Sequence, residues 1–151
     1  MQLKRFLIKL SKIRVQKKRR PNKHYETHKE VARKIITNRL AYFAPLCGVT
    51  FKRVAIRNQR RRWGSCTSRG NLNFSYRLIF LPKELCDYVV AHELCHLKEL
   101  NHGPAFWAEV EKAIPHYLTL VKNLRTLEKT LSHRVAMVPD PDSHLANYLN
   151  E

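Results

Sequence analysis

His92-Glu93-Leu94-Cys95-His96 decides how the rest of this 151-residue chain is read. Residues four apart lie on one helical face, a turn apart, so two imidazoles at that spacing can bind one tetrahedral ion. Glu93, beside the first of them, is close enough to take a proton from a water activated at that ion. The same pattern can arise as an ordinary pair of half-buried histidines. Here, though, Leu85, Val89, Val90, Leu94 and Leu97 make the segment a buried helix, in which unpaired imidazoles and a carboxylate are costly unless a metal binds them. The stretch therefore predicts a catalytic zinc site, one ion per chain, with His92 and His96 as ligands and Glu93 as the acid/base residue.

A third ligand is needed, and His102 follows in the next segment. If the helix simply continued, His102 would lie about 9 Å along the axis from His96, too far to share an ion. The chain must then break. With the helix opened by Pro82 and running to about Leu100, the break falls near Asn101, and Asn101 and Gly103 tolerate the left-handed conformation that ends helices. His116 is the one substitute ligand among the other histidines, His24, His28, His133 and His144, although Pro115-His116-Tyr117 reads first as a surface turn.

Outward from the motif, Thr27 and Glu30 are spaced as a capping box opening a helix to about Leu46, with Val31, Ile35, Leu40 and Phe43 as its core face. Lys29, Arg33, Lys34 and Arg39 are expected in solvent. After Pro45 and Gly48, Phe51, Val54 and Ile56 alternate with basic residues as a strand. A turn-rich connection from Asn58 to Asn71 leads to a second strand from Leu72 to about Leu81. Beyond the motif, Pro104 begins a helix bearing Phe106, Trp107, Val110 and Ile114. Another runs from about Tyr117 to Leu131 with Leu120, Leu124, Leu127 and Leu131 on one stripe. This is a small α+β domain over residues 26–136, with a basic N-terminal arm or helix at 1–25 and a C-terminal tail at 137–151.

Charge is divided unevenly. Residues 1–62 hold 20 Lys/Arg and 2 Asp/Glu, while residues 63–151 hold 9 and 10. A basic half of this kind attracts polyanions, so nucleic acid is an expected partner beside the peptide or protein substrate. Leu3, Phe6, Leu7, Leu10 and Ile13 recur at helical spacing in the arm, a pattern suited first to packing on the domain and second to docking on a membrane surface. Basic residues interrupt every apolar stretch near the start, so neither a secretory signal nor a transmembrane segment is expected, and the chain reads as cytoplasmic. Cys47, Cys66, Cys86 and Cys95 show no CxxC pairing and read as buried thiols; Cys95 projects about 100° around the helix from His96.

Arg62-Trp63-Gly64-Ser65-Cys66, the HExxH motif and Asn101-His102-Gly103-Pro104-Ala105-Phe106-Trp107, in this order, resemble the YgjP-like family of zinc metallopeptidases over about Thr27 to Tyr117. That family belongs with zincin-like folds, including SprT-like proteases that act on proteins attached to DNA. The resemblance implies a zincin-like domain with a short sheet, an HExxH active-site helix and flanking helices, with His92, His96 and His102 as ligands and Glu93 as general base or acid. The spacing is also that of metzincins, but their midway glycine is replaced by Glu99, and nothing around Met137 resembles a Met-turn.

Three functions compete on these residues. The first is a zinc-dependent metallopeptidase, its strand beside the cleft pairing with an extended substrate. The second is a metal-dependent nucleotide phosphohydrolase using Arg57, Arg60, Arg61 and Arg62 on phosphates, without a glycine-rich phosphate loop. The third is a nucleic-acid-binding module with a structural metal. Three histidines with an adjacent glutamate favour catalysis over a four-ligand structural site. Spacing selects no oxyanion-stabilising residue; Tyr117 and the arginines near Trp63 are the candidates.

Overall fold

The structure is a computed structural model that describes residues 22–133, so the arm before them and the tail after them lie outside the described residues. Helix α1 spans Lys23–Cys47 and so crosses the expected boundary between arm and domain. It begins earlier than the capping box predicts because the Asn22 side chain accepts a bond from Tyr25 N at 3.1 Å and caps the first turn itself. Thr27 is left inside the helix, where its Oγ1 donates to Lys23 O. Pro45 lies within the last turn, and Gly48, at φ 61°, closes the helix by donating to the carbonyls of Ala44 and Pro45.

On α1, Ala32, Ile35, Ile36, Leu40 and Phe43 are buried, whereas Val31 is 38% exposed; Ile36 occupies the inward position instead. Arg39 departs further from expectation. Its Nε and Nη2 donate to the two carboxylate oxygens of Asp87 at 2.6 and 2.8 Å, a forked ion pair that ties α1 to the helix carrying the HExxH motif.

Three strands follow, β1 (Arg53–Arg57), β2 (Gly64–Cys66) and β3 (Asn71–Ser75), in spatial order β1-β3-β2. β1 is parallel to β3 and β2 antiparallel to it. Two expectations are corrected. The turn-rich connection contains β2, too short to show a period-2 pattern. The second strand stops at Ser75, and Tyr76–Phe80 forms a 3-10 helix whose start is capped by Ser75 Oγ, which accepts from Arg77 N at 3.3 Å. A continuous apolar run such as Leu78-Ile79-Phe80-Leu81 does not distinguish a strand from a buried helical turn.

Helix α2 (Lys83–Cys95) follows Pro82, and α3 (Pro104–Ala113) and α4 (Tyr117–His133) complete the domain. α2 is the central element. Leu85, Val89, Val90 and Leu94 are buried in one core with Ile36 and Leu40 of α1, Leu72 and Phe74 of β3, Phe106 and Val110 of α3, and Leu120 and Leu124 of α4. Leu127 is half-buried, and the side chain of Leu131 lies outside the described residues. All four cysteines are free; Cys47, Cys86 and Cys95 are buried and Cys66 is half-buried. Among the described residues no helix is long and apolar enough to cross a membrane. The result is a small α+β domain with a short mixed sheet and flanking helices, consistent with a zincin-like fold.

Candidate metal centre

His92 in the last turn of α2 and His96 at its C-cap share one face, and the chain then turns sharply enough to bring His102 over them. His102 Nε2 lies 3.1 Å from His92 Nε2 and 3.1 Å from His96 Nε2. Among the described residues these three form a cluster able to hold a metal ion. His116 is exposed and lies outside it.

The exit from α2 differs from the expected one. The helix stops at Cys95, and a turn at residues 96–98 redirects the chain well before Asn101. Neither Asn101 nor Gly103 uses the left-handed region; among the described residues only Gly48 and Gly70 have positive φ. The turn is held by His96 itself, whose Nδ1 pairs with Glu99 O at 2.9 Å. A carbonyl can only accept, so Nδ1 carries the proton and Nε2 presents a bare lone pair to the other two rings. His92 Nδ1 is held by Tyr88 Oη at 3.2 Å. Both rings are thus oriented through the nitrogen that faces away from the cluster, the usual arrangement behind metal-binding imidazoles.

Below the histidines lies an aromatic floor from α3. Phe106 is fully buried, stacks on His96 with ring centroids 4.4 Å apart, and meets the edges of His92 and His102. Trp107 stacks on His102 at 5.8 Å and in turn on Tyr117 at 5.3 Å. Burial, reinforced by charge on His96 and His102, pushes His92 down to about 3, so its imidazole is neutral at physiological pH, as a metal ligand must be. Tyr117 stands one ring removed from His102 in this stack.

Glu93 projects from α2 toward the sheet. It is 7% exposed, and burial pushes its carboxyl up to about 7 against the opposing pull of Arg62. Residue 64 explains how it fits: a Cβ there would fall 2.6 Å from Glu93 Cγ and 2.7 Å from Oε1. Only glycine lets β2 lie this close to the carboxylate. Cys66, on the same face of β2, feels it too; burial and then the Glu93 charge raise its thiol to about 11. Sequence reasoning treated Gly64 as a turn residue. No periodic signal marks its role, because the contact depends on how β2 lies over α2.

Cys95, inside the motif, is buried beside Cys47, another buried free thiol. That agrees with its reading as a packing residue.

A short mixed sheet, a helix presenting two metal-capable histidines and a third returning from the following loop define the class: a metal-dependent hydrolase of the zincin-like superfamily. Within that class the chain belongs to the YgjP-like family, whose sequence model, described as "YgjP-like, metallopeptidase domain", matches residues 1–127. Among solved structures it is similar to the metallopeptidase zymogen of Pyrococcus abyssi abylysin, with 25% identity and a TM-score of 0.55 over 60% of this chain and 92% of that one. No curated protein matches it.

Proposed function

We propose that this chain is a zinc-dependent peptidase in which His92, His96 and His102 hold one ion and Glu93 is the general base and acid. The observation that carries this reading is the convergence of three Nε2 atoms, two of them oriented from behind, beside a buried carboxylate. The donor set suits Zn²⁺: three imidazole nitrogens leave a fourth position open, as in catalytic rather than structural zinc sites. When bound, zinc supplies Lewis acidity, which acidifies a water and polarises a carbonyl oxygen. Glu93 accepts the water proton and delivers it to the departing amide nitrogen.

Substrate alignment follows from β2. Trp63 O accepts from Ser75 N and Thr67 N donates to Asn71 O, so alternation aims the backbone of residues 63, 65 and 67 at β3. Gly64 and Cys66 then direct their N–H and C=O groups along the opposite edge. An extended peptide pairing there lies beside Glu93, which argues for a protein or peptide substrate.

Arg62 favours a second reading. Its charge acts on Glu93, and the exposed Arg60-Arg61-Arg62 run would grip phosphates at a nucleotide phosphohydrolase site. A hydrolysis screen of unstructured peptides and nucleoside triphosphates separates the two, with Glu93→Gln as control. The peptidase reading expects peptide cleavage that falls about 100- to 10,000-fold in the variant while bound zinc is unchanged. Phosphate release without peptide cleavage would replace it with the second reading. Alanine at His92, His96 or His102 is expected to abolish stoichiometric zinc; full retention by His102→Ala would remove that residue from the site and leave His116 to be tested.

A further inference from the structure

The two faces of the sheet have opposite chemistry. Ile56, Leu72 and Phe74 are buried on one. The other carries Arg53 and Arg57 of β1, Asn71 and Asn73 of β3, and Ser65 of β2, placed side by side by the register Arg53↔Asn71 and Ser65↔Asn73. A hydrogen-bonded row crosses all three strands: Arg57 Nε donates to Asn73 Oδ1 at 3.5 Å, and Asn73 Nδ2 donates to Ser65 Oγ at 3.3 Å. Arg53 and Arg57 are exposed, with Lys52 and Arg69 exposed at one end and Arg60 and Arg61 at the other. No aspartate or glutamate occurs anywhere from residue 31 to residue 83.

We propose that this sheet face binds the phosphate backbone of a nucleic acid strand. Among the described residues no ion pair engages these cations, which repel one another, and a polyanion relieves that repulsion while releasing its counterions. The patch is rich in arginine, whose planar fork matches phosphate and stacks on bases. Asn71 and Asn73 add amides able to bond base edges. A lipid surface fits less well, because among the described residues the exposed large apolar ones, Val31, Tyr42, Leu46, Leu100 and Leu118, all lie on helices or the loop after α2 and none is on this face. The N-terminal segment is itself too basic to be this face's natural cover: residues 1–23 contain ten Lys/Arg and no acid. This inference is independent of which bond the metal centre hydrolyses.

The test uses the zinc-loaded full chain and a fluorescein-labelled single-stranded DNA oligonucleotide of mixed sequence, with anisotropy followed across a salt series. Each phosphate contact contributes a slope of about 0.7 in log affinity against log salt for a single strand, so Arg53→Ala/Arg57→Ala is expected to flatten the slope by about 1.4 and weaken binding at every salt concentration. Zinc content and circular dichroism establish that the variant is folded. Should it not fold, phenylglyoxal modification of the wild-type chain, mapped by mass spectrometry, gives the same information: Arg53 and Arg57 are expected to be protected by the oligonucleotide. An unchanged slope in a folded variant, or equal modification with and without DNA, overturns the proposal. So does displacement of the oligonucleotide from these arginines by phosphatidylserine vesicles at equal phosphate concentration, which would identify the occupant as a lipid headgroup.

Discussion

The helix α2 and the strand β2 meet at Glu93, yet they are built on opposite principles. α2 is a thirteen-residue helix buried along most of its length, and its metal-capable histidines and Glu93 are large, ionisable and spaced by the helical repeat. β2 is three residues long, half-buried, and contributes by what it lacks: a side chain at Gly64. A buried carboxylate is tuned as much by the element that leaves room for it as by the one that carries it. Glu93 gains its raised pKa from burial, and β2 supplies much of the cover.

The strongest way to sharpen this contrast is through pH. In metal-free protein Glu93 has a folded pKa near 7 against an unfolded value near 4.5, so as pH rises between them the unfolded chain releases a proton that the folded chain keeps, and stability is lost. His92, depressed to about 3 from 6.5, acts oppositely: its contribution is present above 6.5 and is lost as pH falls. The two offset each other between about 4.5 and 6.5. Glu93→Gln removes one of them. Its stability relative to wild type is therefore expected to grow as pH rises from 4.5 to 7, by up to about 3 kcal/mol, in urea titrations of the chelated proteins. A constant difference across that range would show that β2 does not desolvate the carboxylate.

Gly64→Ala attacks the same contact from the strand. Displacing Glu93 by about 1 Å is expected to cost about 100-fold in turnover on whichever substrate the hydrolysis screen identifies, with zinc retained. Equal losses of zinc and turnover would instead mean that the whole end of α2 had moved. Arg39→Ala tests the opposite side of α2, where no reacting group lies. It is expected to destabilise the fold by about 2 kcal/mol in denaturant unfolding, since Asp87 would be left largely buried without its guanidinium partner, and to leave KM unchanged. The smallest effect is expected from Tyr88→Phe, which removes the hydroxyl behind His92 Nδ1. Zinc affinity should fall about tenfold in competition with a chelator.

What the sequence disclosed follows the same division. The clustering of His92 and His96 was legible because metal chemistry and the helical repeat impose one spacing, and that of His102 because a third donor was needed within reach. The exit from α2 was misplaced. Asn101 and Gly103 have the composition of a helix stop, but the turn is made by His96 bonding Glu99 O, a contact no propensity records. β2 was invisible because three residues do not establish a period, and β3 was drawn too long because an apolar run fits a 3-10 turn equally well. Arg39 was assigned to solvent because the position of Asp87 across the helix interface depends on tertiary packing.

The stacking of Trp107 on His102 has an optical consequence. The chain contains two tryptophans, and the other, Trp63, is bonded through Nε1 to Glu128. In a Trp63→Phe background Trp107 is the remaining tryptophan, so a change in its emission on adding zinc to the stripped protein is expected to report the His102 ring it stacks on, giving the centre a built-in lamp by which its loading can be followed without substrate.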